Sequence, residues 1–150
     1  MFWAGKHSFK ENFRSLFPKR KQAPSFSVPS LPDQCREEIQ AKLQSWVQQK
    51  GYRQPAQTPM EVASSIDIPY SLLYRYFQDR HEDFRSWRSR LRLQEALQLM
   101  EAHPSLPISA ISRMAGFSDR SNFSHVFKQS VGLTPGQWKN KLKNCNIAVH

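Results

Sequence analysis

The chain has 150 residues, with 22 Lys and Arg against 12 Asp and Glu, a formal net charge of +10 and a pI near 10. That length holds one domain plus a tail, and the charge points to a polyanionic partner, because Lys and Arg release counterions from phosphate. Cys35 and Cys145 form no Cys-x-x-Cys or Cys–His cluster, the five histidines lack metal-ligand spacing, and the five glycines are too scattered to cradle a phosphate, so no enzyme activity, cofactor or metal is expected.

Residues 1–33 read as a basic aromatic arm followed by a linker. Phe9, Phe13, Leu16 and Phe17 recur at i, i+4, i+7 and i+8, with Lys6, Lys10 and Arg14 on other faces and Lys19-Arg20-Lys21 behind them. Three readings stay open: a disordered basic arm that scans DNA, an amphipathic helix (residues 1–21) on an anionic membrane surface, or the juxtamembrane tail of a longer chain. The Pro- and Ser-rich stretch from Ala23 to Asp33 reads as linker. With no long apolar run, no signal-peptide pattern and few cysteines, the expected location is the cytoplasm, with the membrane surface as the arm's alternative.

Residues 34–150 read as the folded, helical domain. In Glu61 to Gln78 a helix ends near Ile66, a turn falls at Asp67-Ile68, and a second helix starts at Pro69 with Leu73, Tyr76 and Phe77 as its inward stripe. Asp83 to His103 reads as one long helix, with Phe84, Trp87, Leu91, Leu93, Ala96, Leu97 and Met100 apolar and Pro104 beyond its end. A short helix from Ile108 to Ala115 then meets a Gly116-Phe117-Ser118 turn, and another helix from Asp119 repeats the stripe with Phe123, Val126 and Phe127. The stripes are offset by 50 positions and the preceding turns by 49, so the downstream copy has one extra residue after the turn. The expected fold is all-α: about seven helices, in two helix-turn-helix subdomains joined by one long central helix. Phe117, Phe123, Phe127 and Trp138 are assigned to the core.

The outward rows of the two second helices (about 69–79 and 119–130) are polar, as a DNA-reading surface requires. In the first, Ser71, Leu72 and Arg75 are base-reading candidates, because Arg binds guanine bidentately and Leu offers contact to a thymine methyl; Gln78 is a phosphate candidate. In the second, Arg120, Ser121, Asn122 and His125 are the base-reading candidates, with Ser124 and Lys128 as phosphate candidates. A central helix of about 20 residues rises roughly 30 Å, close to the roughly 34 Å between successive major grooves on one face of DNA. A monomer so built meets two short boxes about 10 base pairs apart.

Residues Gln34 to Lys143 resemble the C-terminal DNA-binding domain of AraC/XylS-type transcription regulators. The resemblance rests on Arg90-Leu91-Arg92-Leu93 and Ala96, on Gly116-Phe117-Ser118, Ser121, Phe123, Ser124 and Phe127-Lys128, and on Gly132-Leu133-Thr134-Pro135. It departs upstream, where Asp67 stands in place of the usual turn Gly and Pro69 in place of a Ser at the helix start. Asp tolerates a left-handed turn and Pro suits a first helical position, but Pro69 brings no capping hydroxyl. The resemblance implies sequence-specific transcription regulation on double-stranded DNA, with phosphate contacts at the last helix's N-terminus from Thr134, helped by Lys139 and Lys141. It leaves RNA polymerase and a sensor partner or sensor domain as further candidate partners. The competing reading is a helical protein-interaction or membrane-surface module with only non-specific DNA affinity, which should show exposed apolar anchors.

Overall fold

The computed structural model describes residues 29–148, and side chains through residue 145. The expectations for residues 1–28, including the membrane-surface segment 1–21, lie outside the described residues. Among the described residues the fold is all-helical: α1 (Asp33–Gln48), a 3-10 turn (Gly51–Arg53), α2 (Pro59–Ser65), α3 (Tyr70–Asp79), α4 (Phe84–Ala102), α5 (Ile108–Met114), α6 (Arg120–Val131) and α7 (Pro135–Ala148). None of these helices is long and apolar enough to cross a membrane.

Local chemistry sets most of the boundaries. Thr58 and Glu61 close a reciprocal capping box at the start of α2. The Thr58 backbone N–H and hydroxyl donate to the Glu61 carboxylate and hold it below its ordinary pKa. Asp83 caps α4 by accepting from the Ser86 N–H at 2.8 Å, and Asp119 caps α6 by accepting from the Ser121 N–H at 3.0 Å. Pro69 sits one residue earlier than expected: it is the N-cap of α3 (φ −55°, ψ 132°) and not its first residue, and no side-chain hydrogen bond caps that helix.

Two apolar cores lie along α4. The first joins α1, α2, α3 and the N-terminal part of α4 around Leu43, Trp46, Val62, Leu73, Phe77 and Phe84, with Trp87 and Leu91 packed against it. Trp46 and Trp87 stack at 5.9 Å, and Phe77 meets Phe84 edge-on at 5.6 Å. The second core joins the remainder of α4 to α5, α6 and α7 around Leu93, Leu97, Met100, Phe123, Phe127 and Trp138. Phe123 and Phe127 are fully enclosed, each contributing about 2–3 kcal/mol relative to exposure. The expected inward stripes are thus buried, with Val126 half-buried at the edge of its core.

The segment ahead of α1 packs on the first core: Leu31 is buried in it and its N–H donates to Asp79 Oδ2 at 2.9 Å. A Pro- and Ser-rich composition signals extended backbone, but a single Leu in it still packs where a pocket receives it. Packing of the first core therefore includes residues before Gln34.

A polar seam lies where the two cores meet. Arg92, on the buried face of α4, donates from Nε to the Tyr52 carbonyl (2.6 Å) and from Nη2 to the Gln54 carbonyl (2.7 Å). One turn further along, Glu95 accepts from the Tyr52 hydroxyl (2.8 Å), from Lys50 Nζ (3.1 Å) and from Arg53. Burial lowers the Arg92 pKa to about 10, helped by nearby Arg88, so it stays charged at neutral pH. Burial alone would raise the Glu95 carboxyl, but donors from Arg53, Tyr52 and Lys50 outweigh it and leave the group below its ordinary value. Gly51 admits no side chain, because a Cβ there would lie 2.2 Å from Trp46 Nε1.

Candidate nucleic-acid interface

The two turns share one backbone solution. After α2, Asp67 is left-handed (φ 55°), its N–H donates to the Ser64 carbonyl, and the Ile68 N–H reaches back to the Ala63 carbonyl at 2.9 Å. After α5, Gly116 is left-handed (φ 99°), its N–H donates to the Arg113 carbonyl, and the Phe117 N–H reaches back to the Ser112 carbonyl at 3.1 Å. Each is a Schellman turn, which satisfies the last carbonyls of one helix while swinging the chain into the next. The residue after each turn, Ile68 or Phe117, is buried and anchors it. Lys42 of α1 donates to the Asp67 carbonyl at 2.8 Å, closing the first turn from outside.

These turns set the poses of α3 and α6. Along α3, Ser71 and Gln78 are exposed, Arg75 is half-buried, and Leu72 is half-buried against the first core. Arg75 donates to the Pro29 carbonyl, so the segment ahead of α1 lies beside the outward row. Along α6, Arg120, Ser121, Asn122, His125 and Lys128 are exposed and Ser124 is half-buried. The structure thus leaves the α6 candidates other than Ser124 open to solvent, whereas in α3 Leu72 borders the core and Arg75 has an internal partner.

Around α7, Thr134 and Gln137 form a second reciprocal cap: the Thr134 N–H donates to Gln137 Oε1 (3.0 Å) and the Gln137 N–H to Thr134 Oγ1 (3.2 Å). Lys139 is half-buried and donates to the Leu106 carbonyl, tying α7 to the loop before α5. Lys141 is exposed, with its ammonium 6.0 Å from the centre of the Trp138 ring.

Sequence reasoning passed over two groups of residues. Arg92 enters the sequence analysis only through the family resemblance and Glu95 not at all; a base and an acid three apart on an otherwise apolar face are their one visible signal. Tyr70, Tyr74 and Met60 are exposed apolar side chains lining a groove of about 500 Å³ beside α3. Among the described residues no cluster of three or more His, Cys, Asp or Glu is placed to hold a metal.

A family model described as a helix-turn-helix domain matches residues 62–141, from the middle of α2 into α7. The chain belongs to the AraC-type helix-turn-helix family. Among its relatives, the Msm operon regulatory protein of Streptococcus mutans is 28% identical over 85 residues, covering 56% of this chain and 30% of that protein. The transcriptional regulatory protein YesN of Bacillus subtilis is 35% identical over 65 residues, covering 43% of this chain and 18% of that protein. The chain thus spans a third or less of the length of these curated relatives. Its fold matches a DNA-binding transcriptional dual regulator from Escherichia coli K-12 with a TM-score of 0.59 and 20% identity, over 81% of this chain and 99% of the other.

Proposed function

We propose that this chain is a DNA-binding transcription regulator that reads DNA sequence in two boxes, with α3 and α6 in adjacent major grooves on one face of the duplex. The observation that carries this reading is the repeated Schellman turn, each copy delivering a helix whose outward row is polar, at the two ends of a single 19-residue helix. Nineteen residues rise about 28 Å, close to the spacing of successive major grooves. In α6, Arg120, Ser121, Asn122 and His125 face base edges while Ser124 and Lys128 face phosphate. In α3, Ser71 and Arg75 read bases and Gln78 holds backbone; Leu72 contributes at the margin, from the edge of the core. Arg75 exchanges the Pro29 carbonyl for guanine O6 and N7, a single neutral acceptor for two. The capped start of α7, with Thr134, Lys139 and Lys141, binds phosphate.

The outward rows favour nucleic acid over protein docking, since their centres carry hydroxyl, guanidinium, imidazole and ammonium groups and not apolar anchors. Met60, Tyr70 and Tyr74 lie beside the α3 row, and they are the feature that favours an added protein contact at that end. A reader of this kind works in the compartment that holds the DNA.

The test is in-vitro selection of random duplex DNA with the full chain at near-physiological salt. A fragment starting at residue 34 would lack the core side chain of Leu31. Enrichment of two short boxes about 10 base pairs apart, bound by a monomer, supports the reading. Salt-sensitive binding without sequence preference overturns it.

A further inference from the structure

We propose that Glu95 is a positioning residue that fixes how α3 and α6 stand relative to each other, and so fixes the number of base pairs tolerated between the two boxes. The proposal rests on the two-box reading above. Its basis is the polar seam. Residues 50–54 are held on the middle of α4 by two opposite chemistries: the Glu95 carboxylate takes their side-chain donors, and the Arg92 guanidinium takes their carbonyls. Both α4 residues are nearly inaccessible, Arg92 at 6% and Glu95 at 5% exposure.

The same short segment also meets the second reading unit. A Cβ on Gly116 would lie 2.6 Å from the Arg53 Cα and 2.7 Å from the Tyr52 carbonyl oxygen, so the turn that launches α6 rests directly on the segment Glu95 holds. A helix such as α4 sets separation along its own axis. It leaves rotation of each subdomain about that axis to side-chain packing. Apolar contacts tolerate small slides, whereas a buried carboxylate with three directed donors is satisfied in one geometry only, and each displaced donor leaves that carboxylate short of a partner.

DNA converts that geometry into a measurable quantity. Each added base pair moves the second box by about 3.4 Å and turns it by roughly 35°. A rigid seam punishes one added or removed base pair, and a loose seam absorbs it.

The experiment uses the full chain in a Cys35→Ser, Cys145→Ser background, with spin labels at Ser64→Cys and Gln129→Cys, both exposed and outside the outward rows. Distance distributions without DNA are compared with binding to duplexes whose two selected boxes are separated by the preferred spacer or by one or two base pairs more or less. With Glu95 intact, a one-base-pair change should cost at least about tenfold in affinity, the size of a base mismatch, and the distance distribution should be narrow. Glu95→Gln should broaden that distribution and cut the spacer penalty to about threefold or less, with little change at the preferred spacer. Tyr52→Phe, which deletes one hydroxyl donor, should shift both readouts the same way and serves if Glu95→Gln fails to melt cooperatively. A wild-type spacer profile together with an unbroadened distribution in a folded variant overturns the proposal. If the intact chain selects no paired boxes, the two-box reading fails, and the distances alone then decide whether Glu95 fixes the subdomains.

Discussion

Asp67 and Gly116 occupy the same point of two equivalent turns: each is left-handed, each donates its N–H to the carbonyl three residues back in place of the helical four, and each precedes a buried apolar side chain. They differ in surroundings. The Asp67 side chain is exposed, whereas Gly116 lies against the backbone of Tyr52 and Arg53.

That difference predicts opposite tolerance. Gly116→Ala adds a methyl group to a left-handed residue and drives it to within 2.6 Å of the Arg53 Cα, backbone that cannot swing aside. Strain of this kind costs about 1–3 kcal/mol before the clash is counted. Thermal or urea unfolding should show a loss of at least about 2 kcal/mol. Asp67→Gly relieves left-handed strain while giving the unfolded chain more freedom, two effects of about 1 kcal/mol and opposite sign. It should leave stability within about 1 kcal/mol of wild type. A neutral Gly116→Ala would contradict the close packing of the second turn on residues 52–53.

Leu31 gives a second prediction. Its side chain is 3% exposed within the first core, so Leu31→Ala should cost about 2–4 kcal/mol. A chain starting at residue 34 should lose at least as much. Unchanged melting of both variants would place the edge of the first core at the start of α1.

The helices, their inward stripes and the paired turns were legible because each is encoded locally. Leu73, Tyr76 and Phe77, and then Phe123 and Phe127, mark a buried face by spacing alone, and Gly116 or Asp67 marks where backbone turns left-handed. What was not legible depends on contacts between distant segments. Glu95 and Tyr52 are 43 positions apart, and the base and acid three apart on α4 do not say which donors will meet the buried carboxylate. Leu31 is a case of the same kind: it joins the first core, and its N–H meets Asp79, 48 positions away. Of the candidate site, the outward rows follow from helical period, but Arg75 bonding to Pro29 and Lys139 bonding to Leu106 are tertiary facts.

Acid should weaken the seam. Because donors hold the Glu95 carboxyl below its ordinary value in the folded chain, its contribution to stability is present above the unfolded pKa of about 4.3 and is lost as pH falls through the folded value. Glu61 shares this sign and Glu101, raised by burial, has the opposite one, so the whole-protein curve mixes several groups. The difference between wild type and Glu95→Gln isolates one of them. Urea unfolding from neutral pH downward should show that difference shrinking below about pH 4. A difference independent of pH would mean that Glu95 gains nothing from being ionised in the folded state.

The outward rows predict which losses track sequence and which do not. Arg75→Ala and His125→Ala should each weaken binding to a selected site by about 1–3 kcal/mol while barely changing binding to random duplex. Lys128→Ala should weaken both about equally and lower the salt slope by about 1. Lys139→Ala should do the same, but it also deletes the donor to the Leu106 carbonyl, so about 1 kcal/mol of folding stability goes with it. A melt recorded beside the titration separates those two contributions for Lys139 and should register no shift for the exposed Lys128. Equal losses on selected and random DNA for Arg75, His125 and the lysines alike would remove α3 and α6 as reading helices, because a side chain that only neutralises phosphate carries no information about the base beside it.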